Sequence, residues 1–598
     1  MPTDRPPVDS TVPQLTWRAV LTGMAVGATL SAANIYSGLK IGFTTNMSIA
    51  SALIAFGLWY AAQRSLRTAP FGLHENTISQ TAASAAGSIA GAGLVAPIPA
   101  LTLLTGNQLP LPWLIAWVFA VSATGVIVGI GLRRQLILLE RLPFPYGVAT
   151  AELLRDMYAR GREALLRVSA LGTAAGVAGL LKAAVELLRI PIAWIPGGLG
   201  VGGAAASYGL KKLPWAQLGF GVEPSLLMVG IGGLVGLRAG ASMALGALIA
   251  WAGLAPLAVQ RGWVDATELV DEASWFRPLV SWLLWPGVAL MVSAALTSFV
   301  WSVGSLATRR SRTVAPASQP ASSRGEVRTA HFRIALVVVG GLTVALQIYL
   351  FGIAVHAAVL AVLLTFVLAI VAGRVTGETG IAPIGAMGKV TQLSFAAISP
   401  GNVTDNLMSA NVTGGAASQC SDMLHDLKTG QLVGAWPRSQ AIAQLAGVTA
   451  GAFSGVLSYL LLVPEPQGQL ITSEWPAPAV AQWKAVAEVL SAGGRALPPM
   501  APEAILMGCL VGVTLATAER LVGPSRQRYV PSATSIGLAF VLPAHYAFAM
   551  LVGGLCYEMG RRWAPELTRR FAFVIAAGFV AGESLMGVGF AVVRLLGE

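Results

Sequence analysis

GETGIAPIGAMGKVTQLSFAAISPGNVTDNLMSANVTGGAASQCSDMLHDLKTG, residues 377–430, is broken by glycine and proline and carries charge, yet long apolar spans flank it on both sides. In hydrocarbon each unpaired backbone group costs several kcal/mol, so irregular polar backbone persists there only where protein buries it or a wet cavity receives it. The run therefore reads as a hairpin or broken helix at the floor of a permeation pathway.

Composition supports a membrane setting. The 598 residues are 55% hydrophobic and 11% charged, where a soluble domain carries about 25% charged residues. The 68 glycines suit helices that approach closely through small-residue faces. A net charge of +12 would point to nucleic acid in a soluble protein, but the basic residues cluster beside apolar spans. Positive-inside bias accounts for them, and no nucleic-acid partner is expected. Cys420, Cys509 and Cys556 show no CxxC or CxxH spacing, so no disulfide framework, metal site or cofactor is indicated. Residues 1–16 are polar and proline-rich without the apolar core of a cleaved signal, and read as a cytoplasmic tail.

Apolar runs of membrane length fall near 17–39, 42–62, 77–104, 111–132, 165–188, 216–236, 239–258, 279–307, 332–352, 355–374, 439–463, 501–521 and 571–596. Stretches 377–437 and 529–560 read as hairpins or broken helices, with Pro543 at the bend of the second. The expected fold is all-α: a polytopic integral membrane protein of about 14 to 16 membrane segments with re-entrant or broken helices and internal repeats. Loops holding Arg64 and Arg67, Arg133, Arg134 and Arg141, Arg238, the six arginines from Arg309 to Arg333, and Arg520, Arg526 and Arg528 should be cytoplasmic. Loops 259–278 and 464–500, which are more acidic, should face outside. Segment 308–331, rich in Ser, Pro, Ala and Arg, reads as a linker between an N-terminal membrane half, 17–307, and a C-terminal half, 332–598. The repeat rests on ASALIAFGLWYAAQR at 50–64 against AFAMLVGGLCYEMGR at 547–561, and on AAGSIAGAGL at 85–94 against AAGFVAGESL at 576–585.

Ionisable and amide residues inside such a chain are the functional candidates. Glu378 and Lys389 stand on two arms of the broken run, across Pro383. They could hold the two ends of a zwitterion, Glu378 could accept a transported proton, or the pair could bridge each other. Asn402, Asp405 and Asn406 share a helical face, with Asn411 and Gln419 beyond them. That face could bind peptide amides or serve as polar contact between helices. Asn34 and Tyr36 close the first span, while Glu75 and Asn76 begin the third, with Gln80 one turn later on the same face. Glu75 is the second candidate for proton coupling, with helix capping as the competing role. Asp422, His425 and Asp426 could hold a hard metal or relay protons. The KTG and Arg438 just beyond place this cluster at the cytoplasmic interface, where solvated roles suffice.

The ordered blocks NIYSGLKIGF (34–43), ENTISQTAASAAGS (75–88), FPYGVATAELL (144–154), GETGIAPIGAMGKVTQL (377–393), ANVTGGAASQCSDMLHDLKTG (410–430) and PSATSIGLAFVLP (531–543) resemble the oligopeptide transporter family, which includes the yellow stripe-like metal-chelate transporters. Compact loops make the chain look like a prokaryotic member, which implies the bacterial inner membrane. The resemblance implies secondary, proton-driven uptake of short peptides or peptide-like metal chelates, and no enzymatic activity. Its implied partners are the cargo, protons and the lipid bilayer, with homo-oligomerisation left open. An intramembrane enzyme acting on a lipid-linked substrate, or a passive channel, are the alternatives.

Overall fold

The computed structural model describes residues 14–597 except 43, 201–211, 265–268, 270–274, 310–324, 381 and 493–496. Most of the expected tail and linker thus lie outside the described residues. Eleven helices among the described residues are long and apolar enough to cross a membrane, and the chain is an all-α integral membrane protein.

Its centre is a helix that composition alone would not place there. Val403–Val433 has 31 residues, about 46 Å at 1.5 Å per residue. From Asp405 to Val433 every residue except Asp422, Lys428, Gln431 and Leu432 is buried. The helices Leu111–Arg133, Pro145–Ala159, Val355–Thr379 and Ile384–Ile398 pack directly on it. Leu73–Gly87 lies beside it, clasped in turn by Trp17–Ile41 and Pro437–Leu462. Glycines on the surrounding helices let so polar a helix be enclosed. A Cβ at Gly125 would fall 2.3 Å from the Ala416 carbonyl oxygen, and one at Gly147 2.5 Å from that of His425. Contact this close brings the helices together and shields the polar face from lipid.

A second group packs beside the first. Pro565–Gly597 lies on Gly161–Leu187 and Leu226–Val235, Ala544–Trp563 on Leu226–Val235 and Leu237–Ala247, and Phe276–Arg309 on Ala501–Leu521. Trp17–Ile41 against Pro565–Gly597 joins the two groups.

Besides the 3-10 turn Ser88–Ala92 that follows Leu73–Gly87, helices among the described residues break at three further places. Val355–Thr379 stops at Gly380, whose φ of +82° favours glycine. The 15 residues of the next helix, Ile384–Ile398, about 22 Å long, are too short to span about 30 Å of hydrocarbon, and the chain turns at 399–402 into the central helix. Leu226–Val235 stops at Gly236 and resumes at once as Leu237–Ala247. The span expected at 216–236 is therefore shorter. Residues before it form two small antiparallel ladders, Ala193–Trp194 with Gly221–Val222 and Gly198–Gly200 with Lys212–Pro214. The third break separates Ala533–Ala539 from Ala544–Trp563, with Pro543 immediately before the second helix. In the compared repeat segments, 50–64 and 547–561 each lie within a single helix. Segment 85–94, however, breaks into the 3-10 turn Ser88–Ala92, whereas 576–585 is uninterrupted helix.

Loops gather at two ends. Arg18 donates to the Ala69 and Pro70 carbonyls, Gln14 to Gly434, and Arg133 pairs with Glu326 at 2.5 Å, while Arg438 N–H reaches Gly325. At the other end Ala477 N–H donates to Leu39, and Arg277 to Gln467 and Leu470. Arg133 and the linker end at Glu326 thus meet in space, as do loops 259–278 and 464–500.

Candidate functional site

A cavity of about 440 Å³ lies between the two helix groups, within the range of small-molecule sites. The first group supplies most of the wall: Thr44, Thr45 and Asn46 from the connection after the first helix, Ser418, Asp422 and His425 from the central helix. The second contributes Leu234 and Val235, next to the Gly236 break, and Phe573. Gly380, at the first break, also lines it. The wall is rich in hydroxyls, with Asp422 as its one carboxylate and neither Lys nor Arg among its described residues.

Asp422 accepts from Asn46 Nδ2 at 3.1 Å. His425 is set by the rings of Phe144 and Tyr146, each with its centroid 5.6 Å away edge-on, and its Nε2 lies 3.3 Å from the Gly380 carbonyl. One turn further on, Asp426 is fully buried: Gln80 Nε2 reaches its Oδ1 at 2.6 Å and Ser48 Oγ at 3.3 Å. Gln444, with its amide turned to satisfy both ends, donates to Asp426 Oδ2 at 3.1 Å and accepts from Gln419 at 3.2 Å. No described Lys or Arg pairs with either carboxylate.

The other residues singled out in the sequence are placed around this site or away from it. Asn34 is buried and pins the chain beside the cavity: its amide donates to Thr45 O at 3.0 Å and Gly87 O at 2.8 Å, and its Oδ1 receives Thr45 N–H. Tyr36 is turned away, edge-on to Trp475. Glu75 caps its helix: it takes the Gly72 N–H at 3.2 Å, the Thr16 hydroxyl at 2.7 Å, and an ion pair from Arg18. Glu378 is exposed at the end of Val355–Thr379. Lys389 is buried, with Nζ 4.0 Å from the Trp483 ring centroid and 2.8 Å from Gln392 Oε1. Asn406 holds the same Gln392 from the central helix, at 3.0 and 2.6 Å. Asn402 is the N-cap of the central helix, its Oδ1 receiving the N–H of Asp405 at 3.0 Å. Asp405 is buried in the first turn.

Asn411 joins three elements, accepting from Trp117 Nε1 at 2.8 Å and donating to Ala92 O at 2.9 Å. Asn411→Leu would leave a buried indole N–H and a carbonyl without partners. A loss of about 1–3 kcal/mol for each is expected, read as a lowered thermal midpoint of the purified protein.

The cavity thus takes Asp422 and His425 from a cluster whose sequence context pointed to the interface. The helix runs on to Val433, eleven residues past Asp422, or about 17 Å, and this carries the cluster inward. Cys420 and Met423 lie on the opposite side of the helix, against Gly129, outside the cavity lining. The lining residues Thr44, Thr45, Ser88, Tyr146 and Ser421 carried no separate signal, although Ser418, Ser421, Asp422 and His425 do recur at helical spacing.

Broken helices around a polar cavity between two helix groups define a membrane transporter. The family profile described as OPT oligopeptide transporter protein matches residues 14–594. The chain belongs to the OPT family of transporters. It is similar, at 26% identity, to a Saccharomyces cerevisiae protein provisionally named an oligopeptide transporter, over 96% of this chain and 95% of that one. At the same identity it resembles an Oryza sativa protein provisionally named a metal-nicotianamine transporter, over 96% and 88%, and a Haemophilus influenzae protein provisionally named an oligopeptide transporter, over 93% and 91%.

Proposed function

We propose that the cavity is the cargo site of a secondary active transporter that carries short oligopeptides or peptide-like metal chelates by alternating access, driven by protons. The supporting observation is the position of the roughly 440 Å³ cavity, walled by both helix groups where Gly380 and Gly236 interrupt helices. Breaks beside a site let one helix segment shift against the other group and change which side is open. The hydroxyl-rich wall suits peptide amides, and Asp422 suits a cargo amine or a bound metal centre. The names of relatives divide between the same two cargo classes. Crowding of Arg18, Arg133 and Arg438 at one end favours that end as cytoplasmic, with the N-terminus there and the bacterial inner membrane as the setting.

The test is counterflow in proteoliposomes of purified protein, with labelled trialanine and iron(II)–nicotianamine as probes. Saturable exchange of at least one is expected. Conductance without saturation or counterflow would make it a channel, and a chemically altered probe would make it an enzyme.

A further inference from the structure

We propose that Asp426 is the seat of the coupling proton, and that Asp422, one turn away, is the carboxylate through which cargo in the cavity acts on it. The proposal rests on the transporter reading above and names the residue on which its ion coupling turns.

Asp426 is fully buried, and each of its partners is neutral: Gln80, Ser48 and Gln444 at the carboxylate, and Gln440 Nε2 on its backbone oxygen at 2.6 Å. Of the charged groups on the helices packed around it, Glu75 is engaged with Arg18, Arg133 with Glu326, Arg374 with Glu140, Arg155 with the Leu432 carbonyl, and Lys389 over Trp483, while Glu152 and Asp156 lie on Pro145–Ala159. His425, next to it in the chain, turns to Gly380, so the titratable group that faces Asp426 is Asp422. A buried carboxylate without a cation needs its charge removed or matched. Partner atoms already stand 2.6 to 3.3 Å from the carboxylate, and a proton is the cation that asks for no further room among them.

A second observation points the same way. Gln80 Oε1 is buried without a hydrogen-bond partner among the described residues, on the amide that touches Asp426 Oδ1 at 2.6 Å. A neutral Asp426 needs an acceptor for its O–H, and Gln80 Oε1 is the unused acceptor on the amide beside it. The step is simple: an O–H bond forms on Asp426 when a proton arrives from one side, and breaks when it leaves to the other.

A hydrogen-bonded chain ties this seat to the cavity. Asp422 accepts from Asn46 Nδ2 at 3.1 Å, Asn46 Oδ1 accepts from Ser48 N at 3.0 Å, and Ser48 Oγ lies 3.3 Å from Asp426 Oδ1 and 3.0 Å from Ser84 Oγ. Cargo that engages Asp422 releases Asn46, and the change reaches Asp426 through Ser48.

The experiment uses wild-type, Asp426→Asn and Asp422→Asn proteins in vesicles loaded with a pH-sensitive dye, with trialanine and iron(II)–nicotianamine added outside. Wild-type protein is expected to acidify the lumen as cargo enters. Asp426→Asn protein should still exchange labelled cargo, with about tenfold or more less proton movement per cargo. Infrared difference spectra on titration should show a neutral-carboxyl band in wild type that Asp426→Asn protein lacks, a readout that a merely structural role would not give. Undiminished acidification by Asp426→Asn, loss of its counterflow, an unchanged carboxyl band, or a sodium gradient driving wild-type uptake in place of protons would each overturn the proposal. Wild-type protein that exchanges neither probe would overturn the transporter reading itself.

Discussion

Asp422→Asn protein is expected to take up trialanine or iron(II)–nicotianamine with an apparent KM raised about tenfold or more, whereas Glu378→Gln protein stays within about twofold of wild type. Asparagine keeps the shape of the side chain and an oxygen for Asn46, which now donates at 3.1 Å, so the fold should survive. What disappears is the one carboxylate among the described residues of the cavity wall. A hydrogen bond to a charged group is worth about 1.5–3 kcal/mol, or roughly 10- to 150-fold in affinity. The loss should fall on KM because the carboxylate meets cargo in the bound state before any movement. Glu378 is exposed at a helix end and absent from the cavity lining, so neutralising it removes nothing from the site. Glu75→Gln should behave differently again, since it weakens the ion pair and cap that hold Leu73–Gly87 to Arg18 and Thr16. Uptake by Asp422→Asn with an unchanged KM would remove the cavity from consideration as the cargo site.

The contrast between Glu378 and Asp422 shows where the sequence is legible. Charge beside glycine marks Glu378 as unusual, and the break it announces is present at Gly380, three residues before Pro383. The side chain itself points outward, because a helix end sends successive residues in different directions and nothing local says which faces protein. Lys389 finds its partner in Trp483, 94 residues away, and a contact of that separation leaves no mark in either segment alone. Asn402 is legible as polar and helical, but its backbone position before the first turn makes it a cap. The one-turn spacing of Asp422, His425 and Asp426 marks them as a group, whereas the charged residues after them suggest the wrong depth. Lys428 and Arg438 point to water nearby, yet Gly147 and Gly430 let neighbouring helices close over that end, with Gly430 packed against Gln440. Family resemblance carries the fold class because its blocks fall at the breaks and close approaches that the architecture needs: NIYSGLK ends the first helix and PSATSIGLAFVLP forms the third break.

Gly447→Leu should be the most damaging of the single changes considered, at about 3 kcal/mol or more of stability, out of a total that for a typical protein is about 5–15. Leu73–Gly87 is held between two glycine faces at four-residue spacing. On one side a Cβ at Gly23 would meet Ser79 O at 2.4 Å, and one at Gly27 the Ala86 Cβ at 2.6 Å. On the other, a Cβ at Gly447 would stand 2.0 Å from Ala82 O, and one at Gly451 2.6 Å from the Ala86 Cα. The atoms in the way at Gly447 are backbone, so no rotamer change makes room, and the opposite glycine face blocks retreat of the helix. The helix displaced would be the one that brings Gln80 to Asp426 and Ser84 to Ser48, so uptake should fail in whatever protein still folds. Gly341→Leu is the control: Gly341 is an exposed helical position with nothing within 4 Å of its Cβ, and leucine favours helix there by about 1 kcal/mol over glycine. Thermal midpoints and monodisperse yields of the two purified variants, measured side by side in one detergent, decide the matter. Equal behaviour would mean that the close approach of Pro437–Leu462 to Leu73–Gly87 does not exist, and with it would go the enclosure that keeps the polar central helix out of lipid.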